Sequence, residues 1–226
     1  MLKHLVSRSK EIIEEKGMQA YFARVKNYFD RYPLLDESWF MLNFLINPSR
    51  QSCVEVQGSQ MMLDLSDHGI HRDLFLHGIR EPLCTAIFQK ELTEGMHIAD
   101  IGANIGYYVL MEMRAIGPHG KIYAIEPAPK NFQMLRDNVA RNSCEGMVEL
   151  HNKAASDKKG KVSFFLGGAS NHHRFSYKNE DSTNCIEVEA ISIDELLAGK
   201  RIDVVRMDPE GAEWLILNGM KETLAS

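Results

Sequence analysis

Cysteine is scarce and scattered: the four present, Cys53, Cys84, Cys144 and Cys185, form no C-x-x-C pair. That excludes a zinc knuckle and a thioredoxin-type redox motif, and too few cysteines are present for a disulfide scaffold. They read as reduced thiols, which makes a cytoplasmic protein the default expectation. Long apolar runs are also missing. The longest, Trp39 to Ile46, is interrupted by Asn43 and falls far short of the roughly 20 residues a membrane-spanning helix needs, so no integral membrane segment is expected. Residues 1–16 mix Lys3, Arg8, Lys10, Glu11, Glu14 and Glu15 with apolar positions, leaving no continuous core for a secretory signal. Positive charge is not in excess: 26 Lys and Arg stand against 31 Asp and Glu, a formal net charge of -5. Such a balance attracts neither nucleic acid nor an anionic membrane surface. Internal repeats and low-complexity tracts do not occur.

What is present is the composition of an ordinary folded domain, 44% hydrophobic and 25% charged over 226 residues, enough for one core plus an appendage. Residues 1–50 read as a helical appendage, with Leu2, Leu5, Ile12, Ile13, Tyr21, Phe22, Val25 and Phe29 broken by Gly17 and Pro33 into two or three short helices. Residues 51–95 read as a β-hairpin turning at Gly58-Ser59, then a helix from Pro82 to Leu92. Residues 96–226 alternate short apolar runs with amphipathic stretches, the order that parallel βαβ units produce. The runs are Met96–Ile101, Lys121–Ile125, Met147–His151 and Ile202–Met207, with two further strands expected at Lys161–Leu166 and Cys185–Ala190. Phe132, Leu135 and Val139 mark one face of a helix that Pro129 opens. A last helix is expected from Pro209 to Leu224. The fold class is therefore α/β, a Rossmann-like, doubly wound, mostly parallel sheet, expected to be incomplete at its C-terminus because such sheets ordinarily carry more strands.

The sharpest chemical feature is Asp100-Ile101-Gly102-Ala103-Asn104-Ile105-Gly106, placed where a buried strand turns into a helix. Glycine at 102 lets backbone approach a ligand, and the helix start offers N–H groups to an anion. The dinucleotide fingerprint G-x-G-x-x-G is not met, since Asn104 and Tyr107 occupy its second and third glycine positions, which counts against a nicotinamide-dependent oxidoreductase. A plain tight turn with Asn104 as N-cap also accounts for the segment. Glu126 ends the next strand about 20 residues on, where doubly wound sheets use an acid to accept ribose hydroxyls, though a solvated strand end also accounts for it; Pro127 keeps it extended. Asp208, Glu210 and Glu213 read either as an N-cap with first-turn acids or as ligand-binding carboxylates at strand ends. Asp67-His68, His71 with Asp73, and His172-His173 lack metal-ligand spacing and read as solvated loops, so no metal is expected. The polar loop Gly167–Asn184 is long for a connector and reads either as one wall of an acceptor pocket or as a mobile surface loop.

Five segments in this order, Asp100-Ile-Gly-Ala-Asn-Ile-Gly-Tyr-Tyr108, Ala124-Ile-Glu-Pro-Ala-Pro-Lys-Asn131, Ala154-Ala-Ser-Asp157, Ile193-Asp-Glu-Leu196 and Asp208-Pro-Glu-Gly-Ala-Glu213, resemble the FkbM-type methyltransferase family from about Glu81 to Gly219. The resemblance implies a class I methyltransferase sheet and S-adenosylmethionine as cofactor. It further implies that Asp100, Gly102, Ala103, Asn104, Gly106 and Tyr107 surround the methionine moiety, that Glu126 with Pro127 meets the ribose, and that Ala154, Ala155 and Ser156 border the adenine. Asp208 would lie beside the transferable methyl group. A hydroxyl acceptor must lose a proton, for which Asp208, Glu210 and His173 are the candidates in that order. The expected reaction is O-methylation of a hydroxyl on a sugar, glycan, lipid or secondary metabolite. The alternative is a truncated, non-catalytic Rossmann-like binding or interaction protein. The N-terminal helices are open to three uses: capping the sheet, homo-oligomerising or covering the acceptor.

Overall fold

A computed structural model describes residues 33–170, 173–175, 184–209 and 211–225. Residues 1–48 form a unit of their own, in which Pro33 opens helix α1 (Pro33–Ile46) at the position where a missing N–H costs nothing. The helices expected over residues 1–32 lie outside the described residues.

The second unit, residues 49–226, begins with the hairpin β1 (Gln51–Val56) and β2 (Ser59–Asp64), in register from Gln51↔Asp64 to Val56↔Ser59. Its turn is Gln57-Gly58, one residue earlier than expected, with φ of 51° and 81°. Two successive positive φ values give the type I′ turn whose twist matches paired strands. Gly58 is also needed for space, because a Cβ there would meet Arg114 Nη2 at 2.8 Å.

Helices α2 (Ile70–His77) and α3 (Pro82–Glu91) follow. The first corrects the expectation of a solvated loop. Ile70 and Leu74 are buried on one helical face, and His71 goes in with them, its Nδ1 accepting the Asp64 N–H at 3.1 Å. Burial pushes the His71 imidazole below its usual range, against the pull of Asp67 and Asp64.

The core runs β3 (His97–Ile101), α4 (Tyr107–Ile116), β4 (Lys121–Ile125), α5 (Pro129–Arg141) and β5 (Val148–His151). After β6 (Ala154–Ser156), β7 (Gly160–Phe165), β8 (Arg174–Phe175), β9 (Cys185–Ser192) and the short helix α6 (Ile193–Leu196), the chain re-enters the core at β10 (Val204–Met207). One sheet has the order β10-β3-β4-β5 and is parallel throughout; the other, β6-β9-β7-β8, is mixed. Strand alternation sorts the core into two layers. Ile98, Ile122 and Ala124 pack with α4, α5 and the hairpin, whereas Ala99, Ile101, Tyr123 and Ile125 pack toward the second sheet.

The helix expected from Pro209 to Leu224 is instead two short ones, α7 (Glu213–Asn218) and α8 (Lys221–Ala225), so Asp208 is not an N-cap. Gly219 causes the break: a Cβ there would run into the Ser156 carbonyl, which a regular helix carrying a larger residue could not approach.

Asn138 on α5 and Asn142 at its C-cap, four residues apart, close the outer edge of β2. Asn138 Oδ1 accepts the Met62 N–H at 2.7 Å, Asn142 Oδ1 accepts the Gln60 N–H at 2.9 Å, and Asn142 Nδ2 donates back to the Gln60 carbonyl at 2.8 Å. Side-chain amides thus replace a neighbouring strand, removing an edge open to wrong pairing. Asn138 is fully buried and also donates to the Ile105 carbonyl at 2.9 Å. Asn138→Ala orphans those groups and is expected to cost about 2–3 kcal/mol, more than Asn142→Ala, by urea unfolding of both variants.

Candidate functional site

The strand order places the carboxyl ends of β3 and β10 side by side, while the chain leaving β3 goes the other way to β4. This is the switch point where open α/β sheets bind ligands. Gly102 leaves β3 with φ of 84°, and a Cβ on it would meet the Asp208 carbonyl oxygen at 2.5 Å, so only glycine lets the two strand ends close up. Asn104 follows with φ of 52°, a left-handed conformation asparagine tolerates better than most residues. The N-cap of α4 is Gly106, φ 93°, and not Asn104 as one reading of the turn had it.

Glu126 lies across the turn, 4% exposed. Its Oε2 accepts the Asn104 N–H at 2.9 Å and its Oε1 the Ala128 N–H at 2.9 Å. Burial pushes its carboxyl up to about 7 despite those two N–H donors. Asn104 Nδ2 donates to the Ser170 carbonyl at 3.0 Å, and Asn131 Nδ2 reaches the same oxygen at 2.9 Å. The Ser170 N–H donates to Asp67 Oδ2 at 2.7 Å. The backbone of one residue, Ser170, therefore ties the loop after β7 to the glycine turn, to α5 and to the segment before α2. Asn104 Oδ1, also buried, has no partner among the described residues.

These groups line a cleft of about 800 Å³, counting its open mouth. Of the residues expected to bind cofactor, it gathers Gly102, Ala103, Asn104, Tyr107, Glu126, Pro127, Ala154, Ala155 and Asp208. Ala154 and Ala155 reach it from β6, a short strand following β5, and Ser156 is buried beside them. Asp100 and Gly106 are not part of the lining, and Glu210 lies outside the described residues. His173 is in the lining, but its Nδ1 accepts the Gly167 N–H at 3.1 Å. The neutral ring then carries its proton on Nε2 and offers a donor, which makes it a poor base in that tautomer.

Arg206 is the main residue that sequence reading missed. It is the register partner of Asp100, so both side chains emerge on the α4 face. Arg206 Nη1 donates to Asp100 Oδ1 at 2.7 Å and to the Gly102 carbonyl at 3.4 Å, while Nη2 reaches Asp208 Oδ2 at 3.3 Å. The guanidinium carbon lies 3.8 Å from the Tyr108 ring centroid. Asp100 is fully buried, and burial holds its carboxyl above the usual range against the pull of Arg206. Arginine in the apolar run Val204-Val205-Arg206-Met207 was the available signal, since a cation in a buried parallel strand requires a partner. Arg80, also in the lining, was missed too; its Nη1 donates to Asp73 Oδ2 at 3.0 Å.

A parallel sheet of this order with its glycine turn at the switch point defines a Rossmann-like fold of the class I methyltransferase type. Residues 100–226 match the family described as the methyltransferase FkbM domain, and the chain belongs to that family. It is 28% identical over 140 residues to the hexuronic acid methyltransferase AglP of Haloferax volcanii, covering 61% of this chain and 55% of that protein. To the 2-O-methyltransferase NoeI of Sinorhizobium fredii it is 26% identical over 173 residues, covering 66% and 70%. A shorter match, 33% over 51 residues, joins it to a protein-L-isoaspartate O-methyltransferase of Methanothrix thermoacetophila, 23% of this chain and 24% of that protein. Among solved structures, an FkbM methyltransferase from Methylobacillus flagellatus superposes with a TM-score of 0.44 at 16% identity, over 68% of this chain and 39% of that one. The chain thus spans from about a quarter to 70% of the curated relatives named here.

Gly102→Ala forces both a positive φ and a contact with the Asp208 carbonyl, and is expected to cost about 2–3 kcal/mol. By differential scanning calorimetry that lowers the unfolding midpoint by roughly 5–10 °C.

Proposed function

We propose that this chain belongs to an S-adenosylmethionine-dependent O-methyltransferase whose acceptor is a sugar hydroxyl. The single observation that carries the reading is the convergence of the glycine turn, Glu126 and Asp208 on one cleft at the sheet's switch point. The names of two relatives, a hexuronic acid methyltransferase and a 2-O-methyltransferase, support a sugar as acceptor.

The residues present fit this cofactor. Asn104 Oδ1 is a buried acceptor without a partner among the described residues, suited to an ammonium or hydroxyl donor, and Gly102 and Ala103 border the cleft beside it. Glu126, ionised, accepts ribose hydroxyls; Ala154 and Ala155 leave a flat, small-residue wall for a base. S-adenosylmethionine, when bound, supplies a methyl group on a positively charged sulfur. The protein then has to align the acceptor and exclude water. Asp208, whose side chain is 55% exposed and lies at the mouth of β10, is the group we assign to accept the hydroxyl proton. Arg206 holds that carboxylate toward the cleft. Glu210 remains a second candidate for the same task. We assign the reaction to the cytoplasm, in keeping with four free thiols, and with no nucleic acid partner, in keeping with a net charge of -5.

Calorimetric titration with S-adenosylmethionine and with its demethylated product tests the reading. Saturable binding is expected for both; a folded chain that binds neither contradicts it. Because protonation turns one Glu126 oxygen from acceptor to donor, affinity is expected to fall as pH drops through about 7. Glu126→Gln is expected to weaken binding about 10- to 100-fold at pH 8, the loss of charge-assisted hydrogen bonds worth about 1.5–3 kcal/mol, and to flatten that acid limb.

A further inference from the structure

Beneath the cleft lies a fully buried acid that the proposed chemistry does not use. Glu112, on the second turn of α4, is 0% exposed, and neither of its carboxyl oxygens has a partner among the described residues. Its surroundings are charged: it feels Asp100 of β3 and Arg206 of β10. Asp100 is itself 0% exposed and its Oδ2 has no partner among the described residues. The other titratable groups here are Asp208, which Arg206 Nη2 reaches, and Tyr108, one helical turn before Glu112. The Tyr108 hydroxyl donates to Glu81 Oε2 of the α3 N-cap at 3.1 Å, so Glu81 is engaged elsewhere. One guanidinium thus faces three carboxyl groups, two of them wholly out of water.

We propose that Glu112 is a positioning residue of the cofactor site that acts by staying neutral, leaving the charge of Arg206 to Asp100 and Asp208. A guanidinium can balance a single buried carboxylate; a second one with no donor of its own would carry the full cost of desolvation. Were Glu112 ionised, it would also compete for Arg206. The guanidinium would be drawn away from the Gly102 carbonyl, 3.4 Å off, and from Asp208, 3.3 Å off, and these are the contacts that join the glycine turn to the end of β10. With Glu112 neutral, Arg206 stays over the Tyr108 ring between the two strand ends. Burial and the nearby Asp100 charge both push the Glu112 carboxyl well above its usual range, in the direction this role needs.

The role rests on the methyltransferase reading, but its first test does not require the cofactor. A carboxyl whose proton is held more tightly in the folded than in the unfolded chain makes folding less favourable as pH rises above the unfolded value, about 4.5. Thermal unfolding of the wild type and of Glu112→Gln, a neutral isostere, should therefore differ little near pH 4.5. The advantage of the variant should grow to several degrees by about pH 8.5. Glu112→Met, of similar volume, should show the same trend and covers the case in which the glutamine variant fails to fold. A difference that does not change with pH, or a variant that loses ground as pH rises, overturns the proposal, since Glu112 would then be either non-titrating or an ionised partner of Arg206. The second test is S-adenosylmethionine affinity. Wild-type affinity should fall on the alkaline side, Glu112→Gln should stay within about twofold of wild type at pH 7 and lack that fall, and Arg206→Met should lose at least about tenfold. An alkaline limb that persists in Glu112→Gln overturns the positioning role. If the wild type binds no cofactor, the methyltransferase reading and the positioning role fail together, while the unfolding experiment still decides whether Glu112 holds its proton.

Discussion

The ion pair between Asp100 and Arg206 is the constraint around which the cleft is arranged. Parallel pairing of β3 with β10 places the two residues opposite one another, and the alternation of side chains sends both toward α4. A buried charge needs its partner in place, so the pair fixes the register of the two strands at the point where the sheet changes direction. What lies just beyond, Gly102 on one strand and Asp208 on the other, is brought together by the same registration. Breaking either half of the pair would leave an uncompensated charge under the site, a far larger disturbance than removing a surface ion pair such as Lys161 with Glu187.

The remaining walls of the cleft come from segments with no part in the parallel sheet. The mixed sheet contributes β6 and the loop holding Ser170, whose carbonyl receives Asn104 and Asn131. The segment between β2 and α2 supplies Asp67, which receives the Ser170 N–H, while α5 and its C-cap secure the hairpin through Asn138 and Asn142. Amide side chains recur at these junctions for a physical reason. Each can accept and donate at once, so it joins two backbone segments without introducing a charge that would need its own partner.

The parts of this arrangement that were legible in the sequence are those set by local chemistry. The run Lys121–Ile125 is apolar beyond its first residue because both faces of this inner parallel strand are covered. Gly102, Gly106 and Glu126 declare themselves by spacing, and Pro129 marks a helix start. What escaped notice depends on pairings between distant residues. Arg206 and Asp100 are 106 positions apart, and Asp67 and Ser170 are 103 apart. His71 looked like part of a solvated loop because two buried side chains, Ile70 and Leu74, decide its environment. The Pro209–Leu224 helix was broken by a long-range contact, the close approach of Gly219 to Ser156, which no helical periodicity records.

Whether the switch point held together by Asp100 and Arg206 is a cofactor site is decided by a crystal structure of the chain grown with S-adenosylhomocysteine. The expected structure has the ribose hydroxyls on Glu126, the methionine end between the Gly102 turn and Asp208, and Asn104 Oδ1 accepting a hydrogen bond from the ligand. Density for the ligand elsewhere, or a cleft that holds it with Glu126 and Asn104 left untouched, would contradict it.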